Sequence, residues 1–138
     1  MITIFKILKF ILSFVVSYLI VVYTLQIPSL LTNNNPIIKE IYYTKAHQML
    51  PLDFLFIIIY IWIAKYLLSH IKKKTTIKED IVFIAIITAV LTTLFCYYFR
   101  SSPVNPSNIF SRWFHSVGYR SVIYDIIIVC SVYILYTL

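Results

Sequence analysis

Apolar positions fall into long uncharged runs, separated by short polar segments. The clearest run, IVFIAIITAVLTTLFCYYF over residues 81–99, lies between Glu79-Asp80 and Arg100. At about 1.5 Å per residue a helix of that length reaches roughly 28 Å, close to the hydrocarbon thickness of a bilayer. Ala85, Thr88, Ala89, Thr92 and Cys96 recur at spacings of three and four, which puts small residues on one face. In lipid, small faces let helices approach closely, because packing replaces the missing hydrophobic drive. This run is therefore expected to be the helix against which the others pack.

Earlier in the chain, Lys6 and Lys9 precede an uncharged stretch over residues 10–25 that continues with little polarity to Leu31. No small-x-small cleavage site follows it, so the stretch reads as a retained signal-anchor rather than a cleaved signal. Ser13 and Ser17 give it a small-xxx-small face of its own. Pro28 and the Asn33-Asn34-Asn35-Pro36 cluster are expected to end the helix and open a loop. Residues 37–50 carry Lys39, Glu40, Tyr42, Tyr43, Lys45 and His47, a spacing that suits a short interfacial helix with tyrosine at headgroup depth.

The next run starts at Pro51, a residue suited to a first helical turn, with Asp53 near the positive end of the dipole. Towards its far end Lys65 is expected to snorkel its amine to the interface beside Trp62 and Tyr66. Beyond residue 100, Ile109, Phe110, Trp113, Phe114 and Val117 share one helical face, and Ser111, Arg112, His115 and Ser116 share the other. Ser107 or Asn108 can cap this helix, and Gly118 can end it in a left-handed conformation. Such an amphipathic helix should lie in the interface plane. The last run, residues 121–138, holds one charge, Asp125.

The pattern thus predicts an all-α integral membrane protein with a single membrane domain over residues 1–138. Four transmembrane helices are expected at about 7–27, 51–69, 81–99 and 121–138, with a short amphipathic interfacial helix at about 108–118 before the last span.

Composition sharpens this picture. With 61% hydrophobic residues in 138, too few polar side chains remain to cover a soluble domain. The formal charge of +7 would suggest nucleic acid in a soluble protein, but here the basic residues flank apolar runs. They read instead as topogenic charge and as contacts for anionic headgroups. Lys72, Lys73 and Lys74, with Lys65 and Lys78 nearby, form the densest positive cluster and mark a cytoplasmic side. Four spans then place both termini there. Lys72, Lys73, Lys74 and Arg112 are the candidate headgroup contacts. No nucleic-acid partner is expected.

Candidate chemistry is sparse. Cys96 and Cys130 form no CxxC and have no His at ligand spacing, so no metal site is expected. No GxSxG, HExxH or P-loop occurs, and neither catalytic residues nor a cofactor are expected. Ser116-Val117-Gly118-Tyr119 is similar to the TVGYG filter of potassium channels, but Arg120 replaces the closing glycine and would oppose cation entry. Small four-span drug exporters carry an acid in their first span; residues 10–25 have none. The main constellation is a polar cluster. Chain alternation puts Asp53, Arg100, Arg120 and Asp125 on the same membrane face, where Asp125 is expected to pair with Arg120 or Arg100.

The block FSRWFHSVGYRSVIYDIIIVCSVYILY, residues 110–136, resembles the ends of small multi-pass membrane proteins of large nucleocytoplasmic (giant) DNA viruses. The stretch LPLDFLFIIIYIWIAKYL around Asp53 is similar to them more weakly. The resemblance implies a virion inner membrane, or the host endomembrane from which it forms, and assigns no site residues. The expected function is structural: helix packing, headgroup contact and binding of other membrane or capsid proteins or of further copies of the chain. The alternative is a viroporin-like ion or proton channel, or a transporter component, using the polar cluster around Asp125.

Overall fold

A computed structural model describes residues 2–31 and 36–138. Helix α1 (Ile2–Tyr18) widens into a π-helical turn, Leu19–Thr24, closed by the Leu25 amide on the Ile20 carbonyl at 2.8 Å. Short helix α2 (Ile27–Leu31) follows, then α3 (Pro36–Lys39) with its own π-helical turn, Glu40–Thr44. The long elements are α4 (Ala46–Ile71), α5 (Ile77–Arg100) and α7 (Arg120–Thr137), with α6 (Ile109–Val117) before the last. No strand occurs among the described residues.

Four stretches are long and apolar enough to cross a membrane: Thr3–Thr24, His47–Ile71, Ile77–Arg100 and Arg120–Thr137. Helices α4 and α5 overrun the expected spans, and on α5 capping chemistry rather than the edge of the apolar run sets the start. On α5 a capping box does this: the Thr76 hydroxyl accepts from the Glu79 amide at 3.2 Å, and Glu79 Oε1 accepts from the Thr76 amide at 3.3 Å. On α4 the helix begins at Ala46, so Pro51 lies inside it and not in its first turn. Proline there removes the amide that would have bonded to the His47 carbonyl, close enough to the start for the helix to continue. Likewise Pro28 does not end the first helix; it sits inside α2, and the break falls at Gln26, whose φ of 53° takes the chain out of the helical region. The expected Asn33-Asn34-Asn35 loop lies outside the described residues.

The exterior is far more apolar than that of a water-soluble domain, and several polar side chains are buried with the core. Phe5 is 78% exposed and Leu94 59%, while Ser13, Ser17, Asp80, Thr88, Thr92 and Ser121 are buried. The buried face of α5 runs Asp80, Ile84, Thr88, Thr92, Cys96, one residue per helical turn. The small-residue stripe expected on this helix is therefore a packing seam. Its hub role is shared, however. Helix α5 packs most extensively on α7 and next on α4, whereas α1 packs chiefly on α7. Helix α7 touches α1, α2, α4, α5 and α6, and it organises the bundle.

One interfacial expectation is corrected. Tyr42 lies in the core at 3% exposure, its carbonyl accepting the Tyr23 hydroxyl at 2.6 Å, while Tyr43 remains exposed. Helix α6 turns its apolar face onto the bundle, burying Trp113, Phe114 and Val117. Asn108 caps it, accepting from the Phe110 and Ser111 amides at 2.9 and 3.3 Å. Gly118 ends it at φ 65°, ψ −141°.

Candidate functional site

The helix ends collect polar groups into two clusters. One is at the end where α1 and α5 finish and α4 and α7 begin. Asp53, two turns into α4, accepts from the Tyr18 hydroxyl of α1 at 2.8 Å. Asp125, just past the first turn of α7, accepts from the Thr92 hydroxyl of α5 at 2.8 Å. Both carboxylates face one cavity of about 150 Å³. Helix α6 covers it with Ile109, Phe110, Trp113 and Phe114. The rings interlock: Phe99 stacks on Phe114 at 5.4 Å and 8°, Phe56 meets Phe110 edge-on at 5.8 Å, and Trp113 meets Tyr124 at 6.2 Å.

Of the expected polar cluster, the fold unites Asp53 and Asp125 and leaves out both arginines. No basic residue lines the cavity. Arg120 is five residues before Asp125 on the same helix, about 140° round its axis, and its side chain is exposed. Arg100 carries its guanidinium over the Tyr119 ring at 5.8 Å. Asp125 is therefore held by a neutral donor, not by an ion pair.

Arg112 is a further correction. Instead of reaching for headgroups it grips Glu40 with two bonds of 2.7 Å, from Nη1 and Nη2 to the two carboxylate oxygens. Lys45 approaches the same carboxylate at 3.4 Å. The Arg112 hydrogen bond holds Glu40 below the usual carboxylate range, and Glu40 in turn raises the arginine. This pair ties α6 to the π-helical turn after α3 and so fixes the lid of the cavity. Of the lysine loop, Lys72 pairs with Glu79 at 2.7 Å, while Lys73 and Lys74 stand exposed without an ion pair among the described residues.

The second cluster went unnoticed in the sequence. At the opposite end of the bundle Asp80, 5% exposed, accepts from Lys65 Nζ at 2.9 Å, from the Tyr133 hydroxyl at 2.6 Å and from the Thr75 hydroxyl at 2.7 Å. Three helices and one loop meet on a single carboxylate. Lys65 therefore turns its amine to Asp80, while its side chain as a whole stays 45% exposed. A signal for this was available: the small-residue stripe continued back from Thr88 by two turns lands on Asp80.

Among the described residues no group of His, Cys, Asp and Glu could hold a metal ion, and Cys96 and Cys130 are both free. No family model matches the chain, and no curated protein or solved structure is significantly similar to it.

Proposed function

We propose that the chain is a non-enzymatic, multi-pass integral membrane protein with a structural or assembly role, acting through helix packing, headgroup contact and partner binding. Four apolar helices and an exterior dominated by large aliphatic and aromatic side chains support the membrane setting. The observation that carries the structural reading over a pore is the seam between the two polar clusters. From Asp80 to Thr92, about 18 Å along α5, the buried positions are Ile84 and Thr88, and the facing part of α7 presents Ile128, Val129 and Val132. Ile84, Val129 and Val132 are at most 1% exposed. A water-filled path would have to part this seam.

The exposed lysines Lys73 and Lys74 support placing their end of the bundle, with both termini, at a cytoplasmic anionic surface. The resemblance of residues 110–136 extends the reading to a membrane of a giant DNA virus, with membrane or capsid proteins as partners.

The second reading, a viroporin-like conductor, rests on Asp53 and Asp125 facing one cavity. Reconstitution in liposomes separates the two. The structural reading expects ion and proton flux no greater than from empty liposomes, for wild type and Asp125→Asn alike. Flux well above that level which Asp125→Asn abolishes, in protein still helical by circular dichroism, would overturn it in favour of conduction.

A further inference from the structure

Four properties of the cavity under α6 do not follow from a structural role. First, its two carboxyl groups have no basic partner: Asp53 and Asp125 line it, and no lysine, arginine or histidine does. Each carboxylate commits one oxygen, to Tyr18 or to Thr92, and has no other hydrogen-bond partner among the described residues. Second, ten of the eighteen lining residues are aromatic, so most of the wall consists of π faces and ring edges. Third, Tyr124, 3% exposed, belongs to the lining, and its hydroxyl has no hydrogen bond of good geometry although the Tyr18 and Tyr42 hydroxyls lie near it. Fourth, the volume of about 150 Å³ exceeds what a single water fills.

A small inorganic cation would be poorly served here, since it needs several oxygens close around it. An alkylammonium group is different. It carries one diffuse charge, sheds its weak hydration readily, and gains from aromatic faces as well as from carboxylates. We infer that the cavity beneath α6 binds an alkylammonium cation, with Asp53 and Asp125 supplying the charge and Trp113, Phe110, Tyr60 and Tyr124 the aromatic wall. The cation occupies the space between the two carboxylates and leaves their bonds to Tyr18 and Thr92 in place. The same chemistry describes the choline headgroup of a lipid and a free organic amine. The inference goes beyond the structural role above and stands or falls independently of it, because binding without flux is compatible with a sealed bundle.

The test uses Trp113 as its reporter. In a Trp62→Phe background it is the remaining tryptophan. The full-length protein, in phosphatidylglycerol nanodiscs, is titrated with choline, with tetramethylammonium and with 3,3-dimethylbutanol, the uncharged carbon isostere of choline. The expected result is a saturable Trp113 fluorescence change with both cations, at least tenfold weaker with the isostere, and lost in Asp53→Asn/Asp125→Asn. Asp80→Asn, which removes a carboxylate at the other end, should leave binding within twofold. Equal response to choline and its isostere overturns the inference on the wild-type cavity alone, whatever the variants do. So does absence of a saturable response to either cation. Repeating the titration in phosphatidylcholine nanodiscs assigns the source: unchanged affinity points to a free amine, and loss of the response points to the lipid headgroup already in place.

Discussion

The Thr92 hydroxyl on α5 donates to Asp125 Oδ2 on α7 at 2.8 Å, linking the two helices that pack most extensively. The donor lies in the seam at 0% exposure, so its hydrogen has no access to solvent. Removing it with Thr92→Val leaves Asp125 without its donor, at a cost of about 1–3 kcal/mol. Asp125→Asn should cost less, because the carboxamide oxygen can still accept the same bond. Thermal unfolding in a neutral detergent measures both. A larger loss for Asp125→Asn than for Thr92→Val would show that the charge, and not the hydrogen bond, holds the helices together.

Asp80 should be the most sensitive carboxylate to truncation. Asp80→Ala strips the acceptor from Tyr133, Thr75 and Lys65 at once. Lys65 is 45% exposed and can turn to water, so its share is small and most of the loss comes from the hydroxyls. A total of about 2–3 kcal/mol is expected, against less than about 1 kcal/mol for Lys65→Met, whose stem keeps its packing. Comparable losses in the two variants would mean that the ion pair dominates.

Gly118 faces two constraints together. Its φ of 65° with ψ of −141° is a conformation that side-chain-bearing residues avoid, and an added Cβ would stand 2.7 Å from Arg100 Nη1. Gly118→Ala should destabilise by about 1–3 kcal/mol. Adding Arg100→Ala removes the collision but not the backbone strain, so the double variant should recover only part of the loss. Full recovery, read from the melting temperatures, would assign the whole effect to the collision.

The Glu40–Arg112 pair predicts acid sensitivity of the lid. Glu40 is held below its ordinary value of 4.5, so the folded state favours the ionised form. The stability this supplies is complete above that ordinary value and is lost as pH falls through the lowered folded pKa. Trp113 fluorescence should therefore report a loosening of α6 below about pH 4.5, whereas in Glu40→Gln the lid should already be loose at neutral pH and show no such step. Lys45, at 3.4 Å from the same carboxylate, softens the effect without replacing the bidentate grip. An unchanged acid transition in Glu40→Gln would assign it to another group.

Periodicity was enough to reveal inward positions on two of the long helices. Ser13 and Ser17 on α1, and Thr88, Thr92 and Cys96 on α5, are buried as their spacing requires, because a 3.6-residue repeat fixes the face of a side chain before any partner is known. Chain alternation likewise sufficed to bring Asp53 and Asp125 to the same end. Lengths were less legible: α4 runs through Pro51, since the cost of proline depends on its distance from the helix start and not on its presence.

Partners could not be read at all. Arg120 and Asp125 are neighbours in sequence, yet a five-residue step on a helix separates them by about 140°, and the bond went to Thr92 on another helix. Arg112 looked available to lipid until the fold brought Glu40, 72 residues away, within 2.7 Å. Asp80 stood in the sequence only as a flank of an apolar run and is the junction of α4, α5 and α7. The sequence alone therefore determined four apolar helices and inward positions on α1 and α5, because those follow from local geometry and from the solvent each side chain prefers. Which helix meets which, that α7 and not α5 is the hub, and that two lone carboxylates share one aromatic cavity were decided only by the tertiary structure. The physical reason is that helix rotation and docking depend on contacts summed across the whole bundle, and no local stretch of chain carries that sum.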